Sequence, residues 1–367
     1  MRLAWQHVLT LLAASSASSA VPSSPSCERG LGIARRSRCP SSRWKDALVP
    51  YLANLTTSSS PLLYVNAGAN KGFAVAEFLQ RFHDNGGTAP TNAQWHHSIK
   101  KIKPSGMFGC GMCSACKDPP PPLDARRNVS VRIEAFELLK PNHILLTKLF
   151  AHHSVPGIAH HTAVSNYTGV AYAPTGVRTG QEWTSAELGD AVSSSSTSLT
   201  SALSTADTRP ARKGRMAVPS TTLDAHAARA GMDRIHWLSI DAEGWDPLIL
   251  EGARELLRTQ RVDLLEFEYH SKGLWAAALP AGERRDLKSA LTQLHEFGYS
   301  CLWQGDKGGL AEASGSSWCD EYEIRSHSNL VCSWREDLKS VLRTLDCTSQ
   351  AADTVRRGCG GGGRGKH

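Results

Sequence analysis

The chain has 367 residues, 41% of them hydrophobic and 20% charged, with a formal net charge of +7. A chain of this size can bury one large core and, with insertions, remain a single domain. Much of its basic excess lies in Arg35-Arg36-Ser37-Arg38, in Arg43-Trp44-Lys45 and in the tail from Arg356, so the charge describes the ends and no nucleic-acid partner is expected.

Arg2 precedes a short apolar stretch, Val8 to Ala14, and small residues ending Ser18-Ser19-Ala20. This pattern predicts a secretory signal peptide over residues 1–20, and no later stretch is apolar enough to span a bilayer. The same region is rich in Ser, Ala and Arg, with Glu28 its only acid before Asp46, so an organelle transit peptide is the second reading. The 10 cysteines all lie beyond Ala20, and an even number scattered through a chain suits disulfides in an oxidising compartment, hence the secretory pathway. Asn54-Leu55-Thr56, Asn128-Val129-Ser130 and Asn166-Tyr167-Thr168 are glycosylation acceptor patterns, a weak addition in so Ser/Thr-rich a chain.

Residues 21–45 are Ser, Pro and Arg without apolar periodicity and read as a linker. A domain is expected over 46–340, interrupted by insertions at about 83–128 and 174–215 and followed by a Gly-rich, disordered tail over 341–367. A short helix is predicted between Asp46 and Leu55. Leu62-Leu63-Tyr64-Val65-Asn66-Ala67-Gly68-Ala69-Asn70-Lys71-Gly72 reads as buried strand and tight turn, opening into a helix to Phe82. Gly68 and Gly72 let the backbone bend sharply and bring N–H groups and a helix N-terminus toward a polar ligand; a plain strand-to-helix turn is the equal alternative. In the first insertion Cys110, Cys113 and Cys116 have the spacing that zinc or an iron-sulfur cluster would need, with a fourth ligand from His96, His97 or a distant Cys. Loop-stapling disulfides are the simpler reading, and no metal is assigned.

Val131 to Glu137 alternates as a strand, and Pro141 starts a helix through Phe150. Two short strands follow, Ile158 to Val164 and Thr168 to Ala173, and then the second insertion. Val218 to Asp224 leads into a helix to about Ala230, and Ile235 to Ile240 is a buried strand ending at Asp241-Ala242-Glu243-Gly244. Further elements are predicted as a helix Pro247 to Leu257, a strand Val262 to Glu268, a helix Arg284 to Phe297 and a strand Tyr299 to Trp303. A hairpin of Tyr322–Arg325 with Leu330–Trp334 closes the domain. Strands separated by helices indicate an α/β fold, a mostly parallel sheet covered on both faces with antiparallel edge strands. Ligands bind such sheets at the carboxyl ends of the strands.

Three strand ends therefore carry the chemistry. Glu137 can accept both hydroxyls of a ribose, or else serve as a solvated acid or a helix cap. Asp241 and Glu243 can divide cofactor or acceptor binding and proton removal between them. The simpler role for Asp241 is to cap the following helix.

Together with Thr222-Leu223-Asp224, Leu250-Glu251-Gly252-Ala253 and Leu265-Glu266-Phe267-Glu268, these blocks resemble, in order, the FkbM-type methyltransferases over about residues 60 to 335. The resemblance implies a Rossmann-like methyltransferase fold and an S-adenosylmethionine-dependent transfer, mostly to hydroxyl oxygens. It implies Asn66, Gly68, Asn70, Gly72, Glu137 and Asp241 as cofactor-binding residues. The sequence departs from the family at Asn66, usually an acid, at Leu138, usually proline, at Ser239, often lysine, and at the bulky Trp245. The cofactor site is thus expected to be retained and the acceptor pocket remodelled, with the first insertion a candidate lid or partner surface. Glu243 is the expected catalytic base, Asp241 orients cofactor or acceptor, and His270 is the reserve. A small-molecule or glycan acceptor is expected. The alternatives are a lumenal metal-dependent glycosyltransferase using Asp241-Ala242-Glu243, and a non-catalytic secreted glycoprotein on the same fold.

Overall fold

A computed structural model describes residues 25–56, 60–103, 109, 113–182, 214–271, 273–275 and 285–348. The expected leader, residues 183–213 of the second insertion, and the tail from 349 onward lie outside the described residues.

Ahead of the sheet come α1 (Pro25–Ala34), α2 (Arg43–Asp46) and α3 (Val49–Ala53). β1 (Leu62–Ala67) leads through the glycine turn into α4 (Phe73–Phe82), after which come α5 (Asn92–Ile102), β2 (Val131–Glu137), α6 (Lys140–His152) and β3 (Gly157–His161). Three short strands follow, β4 (Ala163–Val164), β5 (Gly169–Pro174) and β6 (Arg215–Thr221), with α7 (Leu223–Arg229) after them. The second half contains β7 (Ile235–Ile240), α8 (Asp246–Gly252), α9 (Arg254–Arg258), β8 (Val262–Tyr269) and α10 (Leu287–Glu296). It ends with β9 (Ser300–Gln304), β10 (Leu310–Glu312), β11 (Ser328–Ser333) and α11 (Glu336–Thr344).

Eight strands form one sheet in the order β10-β9-β11-β8-β7-β1-β2-β3. The five from β8 to β3 are parallel, while β11 runs antiparallel between β8 and β9. This is the α/β, Rossmann-like arrangement that the sequence predicts. Every residue of β1 and of β8 is buried, as parallel strands covered on both faces require. Side chains alternate between two cores: Leu63, Val65 and Ala67 of β1 pack with α7, α8 and α10, whereas Leu62 and Tyr64 pack with α3, α4 and α6. Tyr64 stacks on Phe78 at 4.5 Å between ring centroids, and Trp237 meets both rings edge-on.

Chain order reverses between β1 and β7, so the crevice at their carboxyl ends is the topological switch point. The small sheet β4-β6-β5 supplies Ala163, Val164 and Ala171 to the wall of that crevice.

Several expectations change. The predicted linker is structured from Pro25: Ile33 and Ala34 of α1 enter the core, Trp44 of α2 is buried with its indole N–H donating to Gln304 at 3.2 Å, and Cys27 is bonded to Cys319. Composition hid this segment because tertiary packing, not helical periodicity, orders it. The predicted tail likewise begins inside α11, where Val341 and Leu342 are buried. The hairpin is absent: Asp320–Tyr322 is a 3-10 turn, and Glu323 accepts from the Leu287 and Lys288 N–H groups at 3.2 Å, holding the first turn of α10. The partners of β11 are β8 and β9. The predicted helix Pro247–Leu257 breaks at Ala253, because a Cβ on Gly252 would lie 2.0 Å from the Ser165 carbonyl oxygen and the carboxylate of Asp224 caps α9 through Glu255 and Leu256.

Disulfides also join Cys39 to Cys113 and Cys301 to Cys332, and Cys116 and Cys347 are disulfide-bonded as well. The Cys113 and Cys116 thiols are therefore consumed as staples. Replacing Cys27 and Cys319 together by serine should lower stability by about 2–4 kcal/mol, because the bond closes a long loop in the unfolded chain. An unchanged urea midpoint would show that α1 is not part of the domain.

Candidate active site

Gly68 follows β1 at φ +93°, where a Cβ would lie 1.9 Å from the Asp241 carbonyl oxygen. Only glycine permits this approach, and the Asp241 N–H completes it by donating to the Ala67 carbonyl at 2.9 Å. The ends of β1 and β7 are thereby locked side by side. Gly72, at φ +78°, is enclosed instead by Trp95 and Leu146 and precedes α4. It is not among the residues that line the cavity.

Four N–H groups of the turn are used internally. Gly68 and Ala69 donate to the Phe136 carbonyl at 3.1 and 2.8 Å, Gly72 donates to Ala69 at 2.7 Å, and Asn70 donates to Glu137 Oε2 at 2.8 Å. Glu137 Oε1 accepts from Leu139 N–H at 2.6 Å. The carboxylate thus ties the glycine turn to the start of α6, while a carboxylate's remaining lone pairs can still accept from a ligand. Burial pushes its pKa up to about 7 even though both N–H donors favour the ionised form.

A cavity of about 360 Å³ opens where these strand ends meet, within the range of small-molecule sites. Asn66, Gly68, Asn70, Glu137, Asp241 and Glu243 all line it. The structure thus gathers every residue singled out in the sequence except Gly72 and His270. His270 is buried beside the wall, its Nε2 4.0 Å from Glu243 Oε2 and 3.8 Å from Glu268 Oε2. Glu243 adopts φ +54° just beyond β7, a left-handed backbone that separates it from Asp241. Asp241 does not cap the next helix, which starts at Asp246 without a side-chain cap.

Sequence reasoning missed several wall residues. Glu268, Asn142, Glu182 and His327 line the cavity, and Asp246 lies beneath, accepting from the Gly244 and Glu268 N–H groups at 3.2 Å. Glu268 stood in a recognisable block, but nothing marked His327, which comes from the loop before β11. Lys71 folds back to bond the Gly180 carbonyl and Glu182, each at 3.0 Å, and Asn142 accepts from Gly180 N–H at 2.7 Å, so residues 180–182 are strapped across the turn.

The electrostatics are strongly acidic. Burial, then Glu182 and Glu266, raises Asp241 to about 6. Burial and the neighbouring Asp241 hold Asp246 well above the usual carboxylate range, and burial with Asp241, Asp246 and Glu243 does the same for Glu268. Burial, His270 and Arg38 lower His327 to about 4. Such crowding of buried carboxyls creates a site favourable to positive charge.

A family model described as the methyltransferase FkbM domain matches residues 124–301. The match covers the blocks from Ala135 to Glu268 that carry the resemblance. The matched span of the FkbM domain includes Glu137, Asp241, Glu243 and His270; β1 and the glycine turn precede it and join the site through the sheet register. Among solved structures the chain is similar to methyltransferase FkbM from Methylobacillus flagellatus KT, at 11% identity and a TM-score of 0.27, over 61% of this chain and 37% of that one. The chain therefore spans little more than a third of that protein's length. No curated protein matches it.

Glu137 gives a pH test. Its carboxyl keeps its proton in the folded state up to about pH 7, whereas the unfolded chain loses it near 4.5. Stability from this group is present below the lower value and lost as pH rises through the upper one. Glu137→Gln should therefore gain stability relative to the parent protein between those limits, read by urea unfolding; parallel profiles would contradict the burial of this carboxyl.

Proposed function

We propose that the protein is an S-adenosylmethionine-dependent methyltransferase acting on a hydroxyl, such as that of a glycan sugar, in the lumen of the secretory pathway. One observation carries the reading: the glycine turn after β1, Glu137 at the end of β2 and Asp241 at the end of β7 share one cavity, in a chain whose residues 124–301 match the FkbM domain. In this reading Glu137 receives the ribose hydroxyls, and Asn66, Gly68 and Asn70 border the nucleoside. The Asp241 carboxylate offsets the positive sulfonium, which accounts for the tolerance of neutral Asn66.

Methyl transfer from a sulfonium is an in-line displacement, so alignment of donor and acceptor supplies much of the rate. The C–S bond breaks as the C–O bond forms, and the donor leaves as a neutral thioether. A neutral hydroxyl is a poor nucleophile, and Glu243, 28% exposed at the cavity wall, is the base that takes its proton. His270, its Nε2 4.0 Å from the Glu243 carboxylate, is the reserve base. Support for the lumen comes from the disulfides and from the exposure of Asn54, Asn128 and Asn166 at the glycosylation acceptor patterns.

Incubation with isotope-labelled S-adenosylmethionine and a glycoprotein extract tests the activity, and Glu243→Gln tests the base. The substitution should lower turnover by about 100-fold or more while donor affinity survives. Turnover equal to that of the parent protein removes Glu243 from the role. Thermal stabilisation by UDP-sugar with manganese, without any by S-adenosylmethionine, would overturn the donor assignment.

A further inference from the structure

Glu268, His270 and His327 bring two imidazoles and a carboxylate to one corner of the cavity, with one candidate ligand atom from each lying within 4.8 Å of the others. His327 Nε2 is 2.6 Å from Glu268 Oε1, and His270 Nε2 is 3.8 Å from Glu268 Oε2. A tetrahedral zinc-like site with bonds of about 2.1 Å needs neighbouring ligand atoms about 3.4 Å apart, which small side-chain rotations reach from this arrangement, with either Glu268 oxygen as the donor. Glu268 is 3% exposed and its Oε2 lacks a hydrogen-bond partner among the described residues, a costly arrangement for a buried carboxylate unless something else neutralises it. Among the described residues, no lysine or arginine forms an ion pair with Glu268, Asp241 or Asp246. Glu243, 4.0 Å from His270, stands beside the three as a further oxygen donor.

We propose that Glu268, His270 and His327 form a binding site for a divalent first-row metal ion at the acceptor side of the cavity, with Glu243 next to its open position. Mixed imidazole and carboxylate donors suit zinc, cobalt, manganese or iron and disfavour magnesium or calcium, which prefer all-oxygen shells. The ion relieves the repulsion among the buried acids. Its catalytic part, which rests on the methyl-transfer reading, is to polarise the acceptor hydroxyl so that the proton passes to Glu243 more readily as the C–O bond forms. Binding of the ion itself does not depend on that reading.

A second cluster, Glu134, His160 and His226, has similar composition, but there Glu134 is already paired with Arg132 at 2.7 Å and His160 at 2.5 Å, which leaves the carboxylate neutralised. This contrast sets the control. The chelator-stripped full chain, without donor or acceptor, is titrated with Co²⁺ and followed by visible absorption and calorimetry. One saturable Co²⁺ per chain with ligand-field bands is expected; His327→Ala and Glu268→Gln should each abolish both signals in protein shown to be folded by circular dichroism, and His160→Ala should keep them. Lack of a saturable site in the parent chain, or bands that survive both His327→Ala and Glu268→Gln, overturns the proposal. Methyl transfer is scored separately, so a failed metal site and a failed donor assignment give different results.

Discussion

The contact on which the rest depends is the backbone of Gly68 against the carbonyl of Asp241. It joins two strand ends whose residues lie far apart in sequence and brings the glycine turn and the Asp241–Gly244 turn to opposite sides of one crevice. Glu137 fastens the turn from the β2 side through the Asn70 N–H. The turn is therefore a rigid part of the wall. Four of its amide groups are spent on internal bonds, and the cavity wall includes the acids Glu137, Glu182, Asp241, Glu243 and Glu268.

The first insertion and the N-terminal segment reinforce this arrangement. The indole N–H of Trp95 in α5 donates to the Lys71 carbonyl at 2.8 Å, and its ring packs on Gly72, so the insertion braces the back of the turn. Its helix begins with a capping box between Thr91 and Gln94. The Cys39–Cys113 bond joins the two segments at the cavity, where Arg38 and Cys113 both form wall. Segments outside the repeated strand and helix pattern thus form part of the cavity wall. On the opposite face, largely buried Lys45 of α2 bridges Glu77 and Glu266 at 3.0 and 3.2 Å.

The parallel core was legible because its strands are unbroken apolar runs between turn residues: Ile235 to Ile240 was read with its observed ends, and Val262 to Glu268 fell one residue short of Tyr269. Pairing beyond the nearest neighbours was not legible. Tyr322-Glu323-Ile324-Arg325 alternates like a strand, yet its polar residues serve α10 and its Tyr322 is buried against α1. The helix Pro25–Ala34 lacked a signal because a disulfide and packing on β9 and β10 stabilise it. At the site, the glycine and acid motifs marked the strand ends, since strand termini follow directly from periodicity. His327 and Glu182 arrive from loops whose course depends on tertiary contacts, and the direction of the turn's N–H groups depends on the register of β1 with β2.

The central claim, that the crevice joined by Gly68, Glu137 and Asp241 receives a sulfonium-bearing nucleoside, is tested most directly by a crystal structure of the protein with S-adenosylhomocysteine. The account predicts the ribose hydroxyls on the Glu137 carboxylate and the sulfur directed toward Asp241 and Glu243. A nucleoside bound elsewhere on the chain, or no binding at millimolar concentration, would contradict it.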